Sequence, residues 1–284
     1  MARRPSVGEL LLGGAVVVLV TFVATQLVAS PWRLGAKPGL VLSGRDSAAI
    51  AEQYRIQIAE RRGAYSVPPW LADIQIARLQ AAAARDVAGH DADPDPSSDS
   101  VRALIAAGGA GSYLEAMLAE DGGIVTRWRT PSVPIRVWVQ PHSTEPGFSP
   151  ELISPTRRAF TAWNELALPA MFEMVEDSTA ADVHVTCSAR MPEAQQLGTT
   201  FRMTGGTGWI AFAHVILSTA YDIYTVQNAA RHEAGHALGL GHSPDGMDIM
   251  AAATQGRQVH LTDADRVTAT WLYQLPPGNI VRQQ

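Results

Sequence analysis

From Leu10 to Ala29 the chain carries no charge, and Thr21, Thr25 and Gln26 are its only clearly polar side chains. A helix of that length spans about 30 Å, the depth of a bilayer core. Arg3 and Arg4 precede the run and hold the amino terminus on the cytoplasmic side. Residues 1–30 are therefore expected to form an uncleaved single-pass anchor that leaves the rest of the chain outside the cytoplasm, at the cell membrane. A cleaved signal peptide is the alternative, although Ser30-Pro31 and the bulky Leu27 make poor cleavage neighbours.

The pattern then changes. Pro31, Gly35, Pro38, Gly39 and Gly44 mark a linker. Ile50, Tyr54 and Ile58 share one helical face, and Leu71, Ile74 and Ala81 another after the break at Pro68-Pro69. His90 to Ser100 reads as a solvated acidic linker. Ser112 and Glu115 have the spacing of a capping box opening a short helix through Leu114, Met117 and Leu118. Residues 31–130 are expected to be a linker with a helical stalk or pro-like segment.

Residues 131–284 alternate as a folded domain should. Ile135, Val137 and Val139 alternate with Arg136, Trp138 and Gln140, a first strand. Ser149-Pro150 or Ser154-Pro155 starts a helix, with Phe160, Trp163 and Ala167 on its inner face. Met171–Glu176 and Asp182–Thr186 give two more strands. After Gly205-Gly206-Thr207-Gly208, the stretch Trp209–Ser218 is apolar on both faces, as a well-covered strand is. A helix follows from near Tyr224 to Leu238. This mixture of helices and strands is expected to form a fold of the α+β class.

Charge narrows the partners. The net charge is −5. Residues 1–130 hold 13 basic and 13 acidic side chains, whereas residues 131–284 hold 9 and 14. The acidic surplus lies wholly in the second half, which argues against nucleic acid. Cys187 is the single cysteine, so no internal disulfide can form, and its alternating surroundings suit a buried small side chain.

The chemistry concentrates in His232-Glu233-Ala234-Gly235-His236-Ala237-Leu238-Gly239-Leu240-Gly241-His242. Residues four apart share a helical face, so His232 and His236 can reach one ion. Gly239 tolerates the positive φ of a helix exit, and the reversed chain can return His242 as third ligand. Three protein ligands leave a fourth zinc position open, the catalytic arrangement. Glu233 sits where its carboxylate can reach an attacking water without binding the metal.

At every fixed position this stretch resembles the long zinc motif of the metzincin endopeptidases. Ser243, Asp248-Ile249-Met250 and the run from Leu261-Thr262-Asp263-Ala264-Asp265 to Trp271-Leu272-Tyr273 are similar to the matrixin version. The resemblance covers roughly residues 131–275. It implies a metzincin catalytic domain with a twisted mixed sheet, a zinc-binding active-site helix and a C-terminal helix. It further implies Met250 in the turn beneath the zinc, with Met247 as competitor, and Asp265 bracing that turn. An acidic residue in a first helical turn is the plainer account of Asp265. The chain departs from the pattern at Ala264, where the family has a first acid, and lacks the family's propeptide cysteine upstream of the catalytic half.

The resemblance implies a zinc metalloendopeptidase cleaving internal peptide bonds of extracytoplasmic proteins, with one catalytic zinc ion and Glu233 as general base. A non-catalytic zinc-binding module and a zinc exopeptidase are the alternatives. A second structural zinc or calcium is not expected, and His142, His184, His214 and His260 are read as structural or surface residues. The substrate is expected along an edge strand within Trp209–Ser218, with Ala251 to His260 walling the pocket. One further expectation concerns the acidic linker, where an aspartate could touch the zinc in place of a cysteine.

Overall fold

A computed structural model describes residues 70–71, 73–75, 77–78, 98–121, 123–129, 134–191, 193, 195–204, 208–253, 260–276 and 278–279. The apolar run Leu10–Ala29, the linker at 31–44, the face made by Ile50, Tyr54 and Ile58, Ala81 and most of the acidic linker lie outside them. Among the described residues no helix is long and apolar enough to cross a membrane.

The elements run α1 (Ser98–Gly108), α2 (Leu114–Glu120), β1 (Ile124–Val125), β2 (Ile135–Val139), α3 (Ile153–Thr161), β3 (Phe172–Val175), β4 (Val183–Ser188), β5 (Gly198–Thr204), β6 (Ile210–Ser218), α4 (Ile223–Leu238), α5 (Asp263–Leu272) and β7 (Gly278–Asn279). The mixed five-stranded sheet has the order β3-β2-β4-β6-β5. Neighbours are parallel except β5, which runs antiparallel to β6. The fold is a mixed α and β domain, consistent with the mixed sheet and helices that the resemblance implies.

One face of the sheet carries α3 and α4. Phe160 meets Phe172 edge to face with ring centroids 5.2 Å apart, and the Trp163 Nε1–H donates to the Arg231 carbonyl at 2.9 Å. Burying each of these rings stabilises the fold by about 1.5–3 kcal/mol. Ser149 caps the turn that leads into α3, so the first of the two candidate starts is the one used. Ala167 does not line the inner face. It is exposed with φ 48°, where the chain turns out of the short 3₁₀ segment that extends α3.

The other face is covered too, and Trp138 lies on it. Its ring is buried, with Trp70 edge-on at 5.4 Å. Leu71 packs on Ile216, and the Arg78 guanidinium donates to Asp182 at 3.0 Å. With both faces covered, β6 is buried at all nine positions, which its two-faced apolar sequence demands.

Two further expectations change. β5 was not foreseen as a strand, and it is β5, not the Trp209–Ser218 stretch, that forms the edge on this side of the sheet. β6 lies between β4 and β5 and so has both edges paired. The capping box at Ser112 and Glu115 does not form either. Ser112 Oγ bonds the Gly108 carbonyl at the end of α1, and α2 starts from Tyr113 without a side-chain cap.

The chain ahead of Pro131 is built into the same core as the sheet. Tyr113, Leu114, Met117, Leu118, Val125 and Trp128 all belong to it. Trp128 Nε1–H donates to the Ala237 carbonyl at 2.7 Å, Arg127 Nε–H to the Leu275 carbonyl at 2.8 Å, and β1 pairs with β7.

Among the described residues, the histidines outside the motif have ordinary roles. His142 and His260 are exposed, and His214 Nε2 lies 2.9 Å from Thr186 Oγ1. His184 is wholly buried on β4 and donates from Nε2 to the Ser178 carbonyl at 2.8 Å, near Arg78 and Asp182. Burial pushes it down from 6.5 to about 4. Between those values the unfolded chain takes up the proton that the folded chain refuses. Its contribution is therefore whole above the unfolded value and is lost as pH falls toward the folded one, amounting to roughly 2 kcal/mol by about pH 5. Urea unfolding at neutral and mildly acid pH should show a smaller acid loss in His184→Gln than in the wild type. Equal losses would mean that this ring does not stay neutral in the fold.

Candidate metal centre

α4 opens on Asp222, whose carboxylate accepts from the Tyr224 and Thr225 amides at 2.9 and 3.1 Å. It closes at Gly239, with φ 118°, where the Leu240 amide returns to the Gly235 carbonyl at 3.0 Å. A Cβ at Gly239 would stand 2.2 Å from the Thr126 carbonyl oxygen, so only glycine fits this reversal. The reversal brings His242 back to the helix.

His232, His236 and His242 offer ligand atoms that all lie within 4.8 Å of one another. Their hydrogen bonds settle which nitrogen each ring presents. His232 Nδ1 lies 2.7 Å from the Ile249 carbonyl and His236 Nδ1 lies 2.8 Å from the Leu240 carbonyl. A carbonyl can only accept, so both Nδ1 atoms carry the hydrogen and both Nε2 atoms keep a free lone pair. His242 Nδ1 meets Glu120 Oε1 at 3.1 Å and is fixed in the same sense. Burial pushes His232 down to about 4, with the His242 ring adding to the fall. His236 is held well below its ordinary value too, by burial first and then by the other two rings and Arg202. Neutral imidazoles with converging Nε2 lone pairs are the donor set that zinc takes, and the three residues fit that ion.

Glu233 follows the first histidine but turns to the sheet. It is buried, and its Oε2 accepts from Thr200 Oγ1 of β5 at 2.7 Å. Burial pushes the carboxyl up to about 7, while the Thr200 hydrogen bond pulls the other way. A carboxyl near neutrality beside three metal-binding rings is placed to exchange protons.

The turn below is made of Ser243 to Met250. The Ser243 amide donates to the Met250 carbonyl at 2.8 Å, and Asp248 accepts from Thr262 Oγ1 at 2.6 Å. Met250 is wholly buried while Met247 is 62% exposed, so Met250 is the methionine under the rings. It lies so close to α4 that a Cβ at Gly235 would come within 2.3 Å of its sulfur. Asp265, with no exposure, ties the turn to α5. It accepts from the Ile249 amide at 3.0 Å, the Met250 amide at 3.3 Å, the Thr262 amide at 3.0 Å and the Tyr113 hydroxyl at 3.2 Å.

The structure thus gathers His232, Glu233, His236, His242, Gly239, Met250 and Asp265 into one place. Of the expected pocket wall, Ala251 is buried beside the turn and residues 254–259 lie outside the described set. Asp91, Asp93 and Asp95 of the acidic linker also lie outside it. Sequence reasoning missed Thr200, Arg202, Asp248 and Glu120. Only Asp248 had a local signal, its place two residues before Met250. Cys187 stands half-buried on β4 with its thiol pushed up to about 12 by burial, so it stays protonated.

A charge near a helix start contributes about 0.3–1 kcal/mol, whereas a buried carboxylate satisfying several donors costs much more to remove. Asp265→Ala should therefore lose about 3 kcal/mol or more in urea unfolding of the metal-free protein. A loss below about 1 kcal/mol would reduce Asp265 to a dipole charge.

Two comparisons with known proteins bear on this site. Residues 142–274 match the family model of the matrixin peptidases. A stretch of 134 residues is 30% identical to a protein described as Metalloendoproteinase 1-MMP from Arabidopsis thaliana, covering 41% of this chain and 36% of that relative. The chain thus matches about a third of the length of that curated relative.

Proposed function

Because the chain carries a matrixin-like metzincin domain, we propose that it is a zinc-dependent endopeptidase that hydrolyses internal peptide bonds. The observation that carries this reading is the pairing of three fixed Nε2 lone pairs with a buried, hydrogen-bonded carboxyl on the same helix. His232, His236 and His242 hold the ion. A bound zinc ion supplies a Lewis acid for the scissile carbonyl and lowers the pKa of the attacking water toward ~7. Glu233 takes the proton from that water and delivers it to the leaving amine. Thr200 fixes the carboxylate through Oε2, so the base need not be reoriented at the moment of transfer.

β5 supplies the substrate platform. Among the described residues it is the last strand of the sheet on the side of Glu233, and an extended peptide would lie along it. Addition of a strand there brings a peptide bond alongside α4, because Thr200 of the same strand already touches Glu233.

The remaining organisation belongs to the same proposal. Residues 1–30 anchor the chain in the cell membrane, or are cleaved as a signal, and the substrates are extracytoplasmic proteins. Residues 131–284 bear the catalytic residues, and residues 31–130 precede them as linker and helical segment.

Full-length protein loaded with zinc should cleave unfolded protein and internally quenched peptides. Glu233→Gln should lower kcat/KM by about 10²–10⁴-fold with little change in thermal midpoint. A chelator should abolish cleavage and zinc should restore it. Equal rates for wild type and variant would sink the mechanism, and cuts confined to one or two residues from a free end would make the enzyme an exopeptidase.

A further inference from the structure

The helix that ends just ahead of the matrixin-like region reaches the metal centre. α2 finishes at Glu120, whose Oε1 lies 3.1 Å from His242 Nδ1. An ionised carboxylate can only accept, so the ring donates from Nδ1 and keeps Nε2 for a metal. Main-chain carbonyls do this for the other two histidines, held by α4 and the methionine turn. His242 has a side chain in that place, from a residue 122 positions away.

The backbone around this contact is closely fitted. A Cβ at Gly241 would come within 2.5 Å of Met117 Cγ, so the loop carrying His242 rests directly on the buried face of α2. Asp121, the next residue after Glu120, lies 3.9 Å from Arg202, which donates to the His236 and Leu240 carbonyls at 3.1 and 2.9 Å. Leu240 is also the acceptor for His236 Nδ1. The end of α2 therefore touches the supports of two of the three histidines.

We propose that Glu120 is a positioning residue for the third zinc ligand, and that α2 is a fixed part of the metal centre. The inference rests on the zinc-site reading above. A carboxylate behind a metal-bound imidazole fixes its tautomer and orientation and raises its basicity, and loss of such a partner typically weakens metal binding about 10–100-fold. The competing account is a surface ion pair, since the side chains are 55% and 35% exposed. Such a pair contributes almost nothing to stability and leaves metal affinity unchanged. The same exposure means that substitution of Glu120 will not unfold the protein.

The test uses full-length protein, with Glu120→Ala, Glu120→Gln and, as a control on the exposed side of the same helix, Glu115→Gln. Zinc affinity is measured by competition with a chromophoric chelator, and ligand geometry by the visible bands of the cobalt(II)-loaded protein. Glu120→Ala should bind zinc about 10-fold or more weakly and shift the cobalt bands at an unchanged thermal midpoint. Glu120→Gln, whose amide oxygen still accepts, should fall between, and Glu115→Gln should match the wild type. An affinity for Glu120→Ala within about twofold of wild type, with the same cobalt bands, overturns the inference. A wild type that binds no zinc overturns the metal-centre reading together with this one. A wild type that binds zinc without cleaving peptides overturns the peptidase reading alone, and the affinity comparison still decides the role of Glu120.

Discussion

The peptide unit of Ile249 joins the metal centre to the rest of the domain. Its carbonyl accepts from His232 Nδ1 and its amide donates to Asp265. Asp265 is wholly buried, and a buried carboxylate persists only where its lone pairs are met by donors. Those donors come from the methionine turn, the first turn of α5 and the hydroxyl of Tyr113 at the start of α2. Satisfying one carboxylate therefore fixes three segments at once, and through Ile249 it fixes the tautomer of the first histidine. The metal-binding geometry follows from a folding constraint that needs no metal.

The same logic explains how much of the site could be read from the sequence. His232, Glu233, His236, Gly239 and His242 fall within one helix and one turn, where spacing alone sets direction. Their placement was legible because no distant residue is needed to state it. Met250 and Asp265 were legible only through resemblance, since their roles depend on contacts between α4, the turn and α5. Thr200 and Glu120 were invisible, because a threonine in a Gly- and Thr-rich stretch and a glutamate ending a short helix carry no local mark of their partners.

The misread elements have one common cause. The alternation of β2 does not say what covers its second face, and Trp138 is buried there because Trp70 and Arg78 come from far along the chain to meet that face. The β5 sequence is too polar to announce a strand, yet the last strand of a sheet tolerates Thr and Gly that a central strand would not. Ser112 had the right spacing for a capping box, but with its hydroxyl turned to the Gly108 carbonyl at the end of α1 its oxygen accepts from the Leu114 amide, not that of Glu115. Each error is a local preference overruled by a neighbour supplied from elsewhere in the chain.

This bears on what the segment ahead of the catalytic residues can be. A detachable latency segment must leave without unfolding what remains, so its contacts have to be superficial. Leu114, Met117, Val125 and Trp128 are instead core residues, and burying four such side chains stabilises a fold by about 6–12 kcal/mol at 1.5–3 kcal/mol each. That is comparable to the whole stability of a typical domain, about 5–15 kcal/mol. Chain removal up to Pro131 would also strip the Trp128 bond to Ala237 at the end of α4 and the surface on which the His242 loop rests. Any control by proteolysis must therefore act ahead of α2, because removal of the chain between α2 and β2 would dismantle the site it was meant to release.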